Sequence, residues 1–296
     1  MINFKELKMN IRARKKVRLS RSVAGNLGVL VFLMLICAFM ILPILYAVLQ
    51  AFKPLDEIFL YPPRFFVRNP TLRNFSDTFY LTESMGVPFL RYVFNSLFVT
   101  VVGTFLYIVI ASAAGYSLAK GFFRGKALLT SLVVWALLFR PEVTSIPRYI
   151  VVSKLGMVDT YWALILPALS STLGVFLIQQ FVTVAIPDAT LEAARIDGAS
   201  EYNIFLRIVL PGIKPALLTA IIFTFQSFWN SADGTQFIYS ETLKSLPNVL
   251  STIVTGGIAR AGAGAAVSVI LMIPPIVVFL ISQSSVMETM THSGLK

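Results

Sequence analysis

Side chains that carry out catalysis are scarce in this chain of 296 residues. It has one cysteine, Cys37, and one histidine, His292, which excludes an intrachain disulfide and leaves no metal cluster or Ser-His-Asp triad. The run GFFRGK at Gly121–Lys126 is one residue too short between its glycines to be a phosphate-binding loop. Ala127 also stands where Ser or Thr would bind magnesium. The sequence therefore predicts no catalytic residue, no metal site and no cofactor held by this chain.

A polar segment, Glu192–Pro215, interrupts an otherwise apolar chain, and its residues are suited to protein binding rather than catalysis. Pro187 and Asp188 suit the start of a helix, Gly198 permits the positive φ of a sharp turn, and Ser200 is a good N-cap for a second short helix. We predict a helix-turn-helix whose thin apolar face is formed by Leu191, Ala193 and Ala194. Such a compact part is suited to docking into a groove of another protein.

The composition indicates that the elements around this segment are membrane helices. Hydrophobic residues make up 56% of the chain and charged residues 13%, with a mean hydropathy of +0.78. Six apolar stretches approach the roughly 20 residues that span a bilayer, and the third is irregular. They are Leu27–Gln50, Tyr92–Ala119, Ala127–Val152, Tyr161–Phe181, Ile213–Trp229 and Val267–Ser285. We predict an all-α integral membrane protein with a basic tail at 1–23, a transmembrane domain at 24–286 and a short tail at 287–296.

Lysine and arginine predict the orientation of these spans. Eight of them precede the first span against one acid, Glu6, so this end is expected in the cytoplasm. Six spans then put both termini and the 187–215 loop in the cytoplasm, and the first span is a retained anchor rather than a cleaved signal. Topology and anionic membrane lipid account for the net charge of +11 without nucleic acid.

Polar side chains within or beside the spans are candidates for a substrate path, since they are costly in lipid. The set comprises Asn95, Arg140, Glu142, Arg148, Gln226, Trp229 and Asn230. The third span either breaks to line a wet cavity, or ends at Phe139 with Arg140 at the interface and Glu142 paired locally. Helix-to-helix hydrogen bonding and an interfacial aromatic belt are the alternatives for the others, above all for Asn95.

The motifs together resemble a known family. Glu-Ala-Ala, Asp-Gly-Ala and Leu-Pro in the 187–215 loop are similar to the coupling loop of permease subunits of bacterial ABC importers. Further segments resemble the maltose-type carbohydrate importers. They are Arg91–Leu97, Gly115–Lys126, Leu155–Thr160 and Phe228–Asn230. The resemblance implies the type I ABC importer permease fold and a transport subunit that is not an enzyme.

The same resemblance implies partners and roles. A second permease, two ATP-binding subunits that hold ATP and magnesium, and an extracytoplasmic solute-binding protein would complete the importer in the bacterial cytoplasmic membrane. The resemblance assigns coupling to the ATPases to eight residues of the loop, Glu192, Ala193, Ala194, Asp197, Gly198, Ala199, Leu210 and Pro211. Ala193 and Ala194 would permit close approach, whereas Glu192 and Asp197 would pair with basic groups or cap backbone amides.

The cargo is expected to be an oligosaccharide. Cations in the segments predicted to lie outside run against the usual charge bias, and they favour an anionic, uronate-type sugar. The chain also resembles the alginate branch of the family, which implies the same kind of cargo. A neutral sugar is the alternative. These cations are Arg64, Arg68, Arg73, Arg91, Arg140, Arg148, Lys154 and Arg260. Two departures from the family are a C-terminus without a glycine-rich tail and Ser231-Ala232-Asp233 after the Trp-Asn pair.

An ion-driven secondary transporter is the competing class of protein. It predicts inverted repeats and intramembrane acids that hold the coupling ion. Only Glu142 fits such an acid, and no paired motif accompanies it. A membrane-embedded enzyme has no clustered catalytic groups to support it.

Overall fold

In a computed structural model, the described residues 23–139, 141–231 and 234–293 form helices and loops, and no strand occurs among them. The α-helices in chain order are α1 (Val23–Ala51), α2 (Leu55–Ile58), α3 (Arg73–Ser84), α4 (Phe89–Lys120), α5 (Lys126–Ala136), α6 (Pro141–Lys154), α7 (Tyr161–Ala168), α8 (Leu173–Ala185), α9 (Asp188–Ile196), α10 (Glu201–Ile204), α11 (Leu210–Gly212), α12 (Lys214–Asn230), α13 (Gly234–Phe237), α14 (Leu246–Thr255) and α15 (Ala261–Ser293). A π-helical turn, Phe205–Val209, joins α10 to α11. The all-α prediction is confirmed.

The chain divides into two compact units, residues 1–47 and 48–296. The predicted basic tail lies almost wholly outside the described residues, so the first unit is represented by most of α1, an apolar helix long enough to cross a membrane. In the second unit, α4 and α15 also have that length and composition. The part of the predicted C-terminal tail up to Ser293 continues α15 as helix.

Two of the other predicted spans are interrupted. The fourth consists of α7 and α8, bent by 40° at a short break, whereas the predicted fifth span is the continuous helix α12, which follows the Glu201–Gly212 segment at a bend of 79°. The third is split into α5 and α6, neither of which is long enough to span alone. Pro141 begins α6, which fits the missing N–H of proline at a helix start, where no intrahelical partner is needed. The described part of the chain therefore holds three single spanning helices, or five if each bent pair counts as one.

Helix α4 forms the centre of the second unit because small residues let its neighbours approach closely. A Cβ on Gly103 would lie 2.5 Å from the ring of Phe228 on α12, and one on Gly115 would lie 2.7 Å from Ile178 on α8. The hydroxyl of Tyr107 donates to the carbonyl of Ser171, 2.9 Å away, at the break between α7 and α8. These contacts fix α8 and α12 against α4, and they position both regions described next.

Candidate functional site

The loop between α8 and α12 folds as its local sequence predicts. Pro187 precedes α9 in an extended conformation, and α9 ends at Ile196. Gly198 has a φ of +80°, which glycine adopts without a steric cost. The side-chain oxygen of Ser200 accepts a hydrogen bond from the backbone N–H of Asn203 at 3.3 Å, so Ser200 caps α10. The predicted helix-turn-helix is therefore present, and α10 continues through the π-helical turn.

The apolar face of α9 differs from the predicted one. Leu191 and Ala194 are buried in a cluster with Ile204, whereas Ala193 and Glu192 are exposed. The two alanines thus point in different directions, because successive helical residues are about 100° apart. Ala194 allows close packing within this chain, and only Ala193 is free to permit approach from outside.

The remaining predicted coupling residues are also divided between positions that pack inside the chain and positions that are exposed. Leu210 packs against the buried cluster and Ala199 is half-buried, while Asp197 and Pro211 are exposed. The backbone N–H of Asp197 closes the helix on the carbonyl of Ala193 at 3.0 Å. No ion pair of Glu192 or Asp197 occurs within the described residues, so their carboxylates face outward.

Two polar contacts join this loop to α4. Lys120 Nζ lies 2.7 Å from Asp188 Oδ1 at the start of α9. The Glu201 carboxylate accepts a hydrogen bond from the Tyr116 hydroxyl at 2.9 Å and forms an ion pair with Arg195 Nε at 2.7 Å. The hydrogen bond to Glu201 raises the pKa of Arg195 above its ordinary value. The C-terminal end of α4 and the loop are therefore on the same side of the membrane.

A cavity of about 810 Å³ lies in the second unit, within the size range of small-molecule sites. Its walls come from α4, α5, α6, the α7–α8 break and α12. Among the described residues of its wall, the polar side chains are Arg148 and a set of hydroxyls, namely Ser96, Thr144, Ser170, Ser171, Thr172, Ser227, Ser231 and Ser245. One guanidinium among many hydroxyl groups can bind an oxygen-rich ligand, and it favours one that carries a carboxylate.

Comparison with known proteins decides the family. No protein-family model matches the chain. The crystal structure of a bacterial ABC transporter involved in the import of the acidic polysaccharide alginate contains a chain with the same fold, at a TM-score of 0.73 and 20% identity, covering 89% of this chain and 98% of that chain. The arabinooligosaccharides transport system permease protein AraQ of Halalkalibacterium halodurans is 28% identical over 257 residues, covering 86% of this chain and 91% of AraQ. The polygalacturonan/rhamnogalacturonan transport system permease protein YtcP of Bacillus subtilis is 32% identical over 204 residues, covering 69% of this chain and 68% of YtcP. The chain belongs to the permease subunits of ABC sugar importers.

This membership settles the broad function. The permease is a multi-pass protein of the bacterial cytoplasmic membrane and a transport component rather than an enzyme. Importers of this type combine such a permease with a partner permease, ATPase subunits and a solute-binding protein. The predicted family and its all-α permease fold are confirmed.

Two residues predicted to line the substrate path are buried in the permease's interior. Asn95 is fully buried; its amide donates to the carbonyls of Thr242 and Lys244 at 2.9 and 2.8 Å, and its oxygen accepts from the Tyr161 hydroxyl at 2.7 Å. Trp229 is also buried, with its indole N–H donating to the carbonyl of Leu271 at 2.8 Å. These polar atoms are already satisfied within the chain, as in the alternative of helix-to-helix hydrogen bonding, and a role of either residue in the substrate path stays a prediction.

The remaining path candidates have different positions. Arg148 lines the cavity, whereas half-buried Gln226 and exposed Asn230 lie outside its described wall. Arg140 and the side chain of Glu142 lie outside the described residues, so their paired alternatives stay predictions. The helix interruption that separates α5 from α6 is present at this point.

The cavity also uses residues that the sequence analysis missed. On α12 the wall is formed by Ser227 and Phe228, followed by Ser231, rather than by the neighbouring amides and Trp229. The sequence does contain a pattern that could have indicated this wall. Ser227 and Ser231 are small hydroxyl residues four positions apart, a spacing that puts two side chains on the same helix face. Thr144 and Arg148 repeat the same spacing on α6.

At the opposite end of α4 from the coupling loop, Asp159 ties two loops together. Its backbone is in the left-handed region with a φ of 62°, and its carboxylate accepts from the N–H groups of Tyr239 and Ser240 at 3.0 and 2.9 Å. The hydroxyl of Ser240 donates to it as well. The hydrogen bonds from Ser240 hold the pKa of Asp159 below its ordinary value. Asp159 thus anchors the segment after α13 to the turn that precedes α7.

Replacing Asn95 by alanine is expected to destabilise the permease without altering its sugar preference. The change removes three hydrogen bonds at a fully buried position and takes this partner from the Lys244 carbonyl and the Tyr161 hydroxyl, which we expect to lower the free energy of unfolding by about 2–4 kcal/mol. Thermal unfolding in detergent measures the loss, with exposed Asn230→Ala as the control of small effect. A changed sugar preference at unchanged stability would return Asn95 to the substrate path.

Proposed function

We propose that this permease imports acidic oligosaccharides, of the uronate type, through the cavity that contains Arg148, and that Glu192–Pro215 couples this transport to ATP hydrolysis on partner subunits. The observation that carries the substrate proposal is that, among the described residues of the cavity wall, Arg148 is the one charged side chain and the other polar side chains are hydroxyls. Hydroxyl side chains match a sugar of any charge, whereas a guanidinium forms paired, charge-assisted hydrogen bonds with a carboxylate.

The relatives agree with this substrate class without deciding it. YtcP is named for polygalacturonan and rhamnogalacturonan, which supports an acidic cargo, while AraQ is named for arabinooligosaccharides. The cations predicted to lie outside give less support than Arg148. Of the eight cations named above, Arg148 belongs to the described wall of the cavity.

The coupling proposal rests on the exposed side of the loop. Ile196 and Tyr202 are 85% and 70% exposed although they are large and apolar. They flank the turn at Gly198, with Ala193 and the Glu192 carboxylate beside them on α9. Apolar groups rimmed by charge are typical of protein contact sites. We propose that the ATPase subunit covers this surface and holds ATP and magnesium itself, since the chain has no phosphate-binding loop.

The contacts to α4 give this docking a mechanical consequence. Force applied to α9 reaches α4 through the Lys120–Asp188 pair, and force on α10 reaches it through Glu201 and Tyr116. Helix α4 in turn packs on Phe228, which lines the cavity. Closure of the ATPases would then move a cavity wall, with the loop and both termini on the cytoplasmic side as the charge distribution predicts.

ATP hydrolysis by the assembled importer tests the substrate proposal. Acidic and neutral oligosaccharides of equal length are each presented with a solute-binding protein that binds them, and stimulation of the ATPase is measured in proteoliposomes. We expect stimulation by the acidic sugar to exceed that by the neutral sugar by at least about tenfold, the value of one charge-assisted hydrogen bond. Equal stimulation would refute the acidic substrate class.

A further inference from the structure

The loop between α4 and α5 has no role in the proposed substrate path, yet its chemistry is distinctive. It is the GFFRGK run, in which Phe122 is 94% exposed and Phe123 is also exposed. Gly125 ends the turn with a φ of +91°. A phenylalanine that is almost fully exposed at a loop tip is unfavourable in water and favours an apolar or interfacial environment.

The three cations around this tip differ in whether they have a polar partner within the described residues. Lys120 pairs with Asp188, and Lys126 Nζ donates to the carbonyl of Ala119 at 2.9 Å. Arg124 is exposed and makes no hydrogen bond or ion pair with the described residues. With no acid between Lys120 and Lys126, the loop presents an unneutralised guanidinium beside an exposed aromatic ring.

The position of the loop limits what it can touch. Leu128 and Leu129 are exposed in the first turn of α5 and require an apolar environment. The hydrocarbon region therefore begins within about 5 Å, or one helical turn, of Lys126. Five residues connect α4 to α5, so the chain turns back at once. The tip is thereby confined to the headgroup layer, on the same side as the coupling loop.

We propose that this loop, Gly121–Lys126, binds the headgroups of anionic phospholipids, with Phe122 inserted at the acyl boundary and Arg124 pairing with a phosphate. Charge complementarity favours this occupant, because anionic lipids attract nearby lysine and arginine side chains at the membrane surface. Phe122 supplies the apolar contact that fixes the depth of the loop, and amphipathic segments bind membranes in the same way.

Lipid binding here would also stabilise the coupling loop, a consequence that rests on the coupling function proposed above. Lys120 is the last residue of α4 and the partner of Asp188 at the start of α9. Anchoring the residues that follow Lys120 restricts the motion of the end of α4. Helix α9 is then held against a fixed support, and coupling is expected to be stronger in membranes that contain anionic lipid.

Fluorescence quenching in the assembled importer tests the binding directly. Phe122→Trp is placed in nanodiscs of phosphatidylcholine mixed with phosphatidylglycerol, with bromine on the acyl chains of one lipid or the other, and the signal of the unsubstituted importer is subtracted. We expect stronger quenching by brominated phosphatidylglycerol than by brominated phosphatidylcholine. Tyr80→Trp, on α3 at the other end of α4 and also exposed, is the control expected to show no such preference.

Charge removal gives the second part of this test. Adding Arg124→Gln is expected to raise the fraction of phosphatidylglycerol needed for half-maximal quenching by about fivefold, the effect of one cation at an anionic surface. Arg207→Gln, exposed on the same side of the membrane, should leave that fraction unchanged. Equal quenching by both lipids, or no effect of Arg124→Gln, would overturn the proposal.

The Phe122→Trp variant also distinguishes whether lipid or the ATPase contacts this loop. If the introduced indole is protected from an aqueous quencher only when the ATPase subunits are present, the loop contacts protein and the lipid proposal is wrong. The quenching needs no ATP turnover. Loss of coupling in Gly198→Val with unchanged quenching would therefore leave the lipid site intact, and the reverse result would leave the coupling function intact.

Discussion

Gly198→Val is expected to reduce sugar-stimulated ATP hydrolysis and uptake by at least about tenfold, while the permease still folds and enters the membrane. Gly198 has a φ of +80°, where a residue with a side chain costs about 1–2 kcal/mol and a β-branched one more. No atom lies within 4 Å of a Cβ at this position, so the effect would come from the backbone rather than from a clash. Relieving the strain changes the angle between α9 and α10, which displaces Ile196 relative to Tyr202 on the exposed surface.

Gly86 offers a matched control for this substitution. It also has a φ of +80° with open space at the Cβ, but it follows α3 at the opposite end of α4 from the coupling loop. Gly86→Val therefore imposes the same backbone strain away from the coupling loop and should retain stimulation close to that of the parent. Gly198→Asn, which tolerates the left-handed region, should be intermediate. If both valine variants behaved alike, the turn at Gly198 would have no special role in coupling.

Arg148→Gln is expected to reduce uptake of an acidic oligosaccharide by about 10- to 100-fold, the range for losing a hydrogen bond between charged groups, and to leave a neutral sugar little affected. The reason is that Arg148 supplies a guanidinium to a cavity whose other described wall residues are hydroxyl-bearing or apolar. Uptake into proteoliposomes is compared as the ratio of variant to parent for each sugar. This ratio cancels differences between the solute-binding proteins.

Two further variants define what Arg148 contributes. Arg148→Lys keeps the charge but loses the planar pair of donors, and it should recover part of the acidic-sugar uptake. Lys154→Gln removes a positive charge from the same helix at an exposed position outside the cavity wall, and it should change neither sugar. Equal losses for acidic and neutral sugars in Arg148→Gln would mean that Arg148 supports the shape of the cavity rather than recognition of charge.

The coupling loop was predictable because its structure follows from residues close together in the chain. Pro187 begins α9, Gly198 makes the turn and Ser200 caps α10, and each effect acts over about four residues. Composition and the charge distribution likewise predicted a multi-span helical protein. The resemblance carried by the loop motifs identified the family correctly.

The cavity that contains Arg148 could be found only in the tertiary structure. The sequence pointed to Asn95 and Trp229, but both are buried by contacts with segments more than 40 residues away. Similarly, the apolar run of the fourth span predicted a continuous helix, and only the structure shows the 40° bend between α7 and α8.

The sequence by itself predicted the long apolar helices, the turn of the 187–215 loop and the family to which the permease belongs. The tertiary structure decided which side chains face the cavity. Gly103 admits the ring of Phe228, which fixes the rotation of α12 so that Ser227 faces the cavity and Trp229 faces the interior. Backbone conformation is governed by neighbouring residues, whereas the rotation of a helix that is apolar on all sides is set by close packing against other helices.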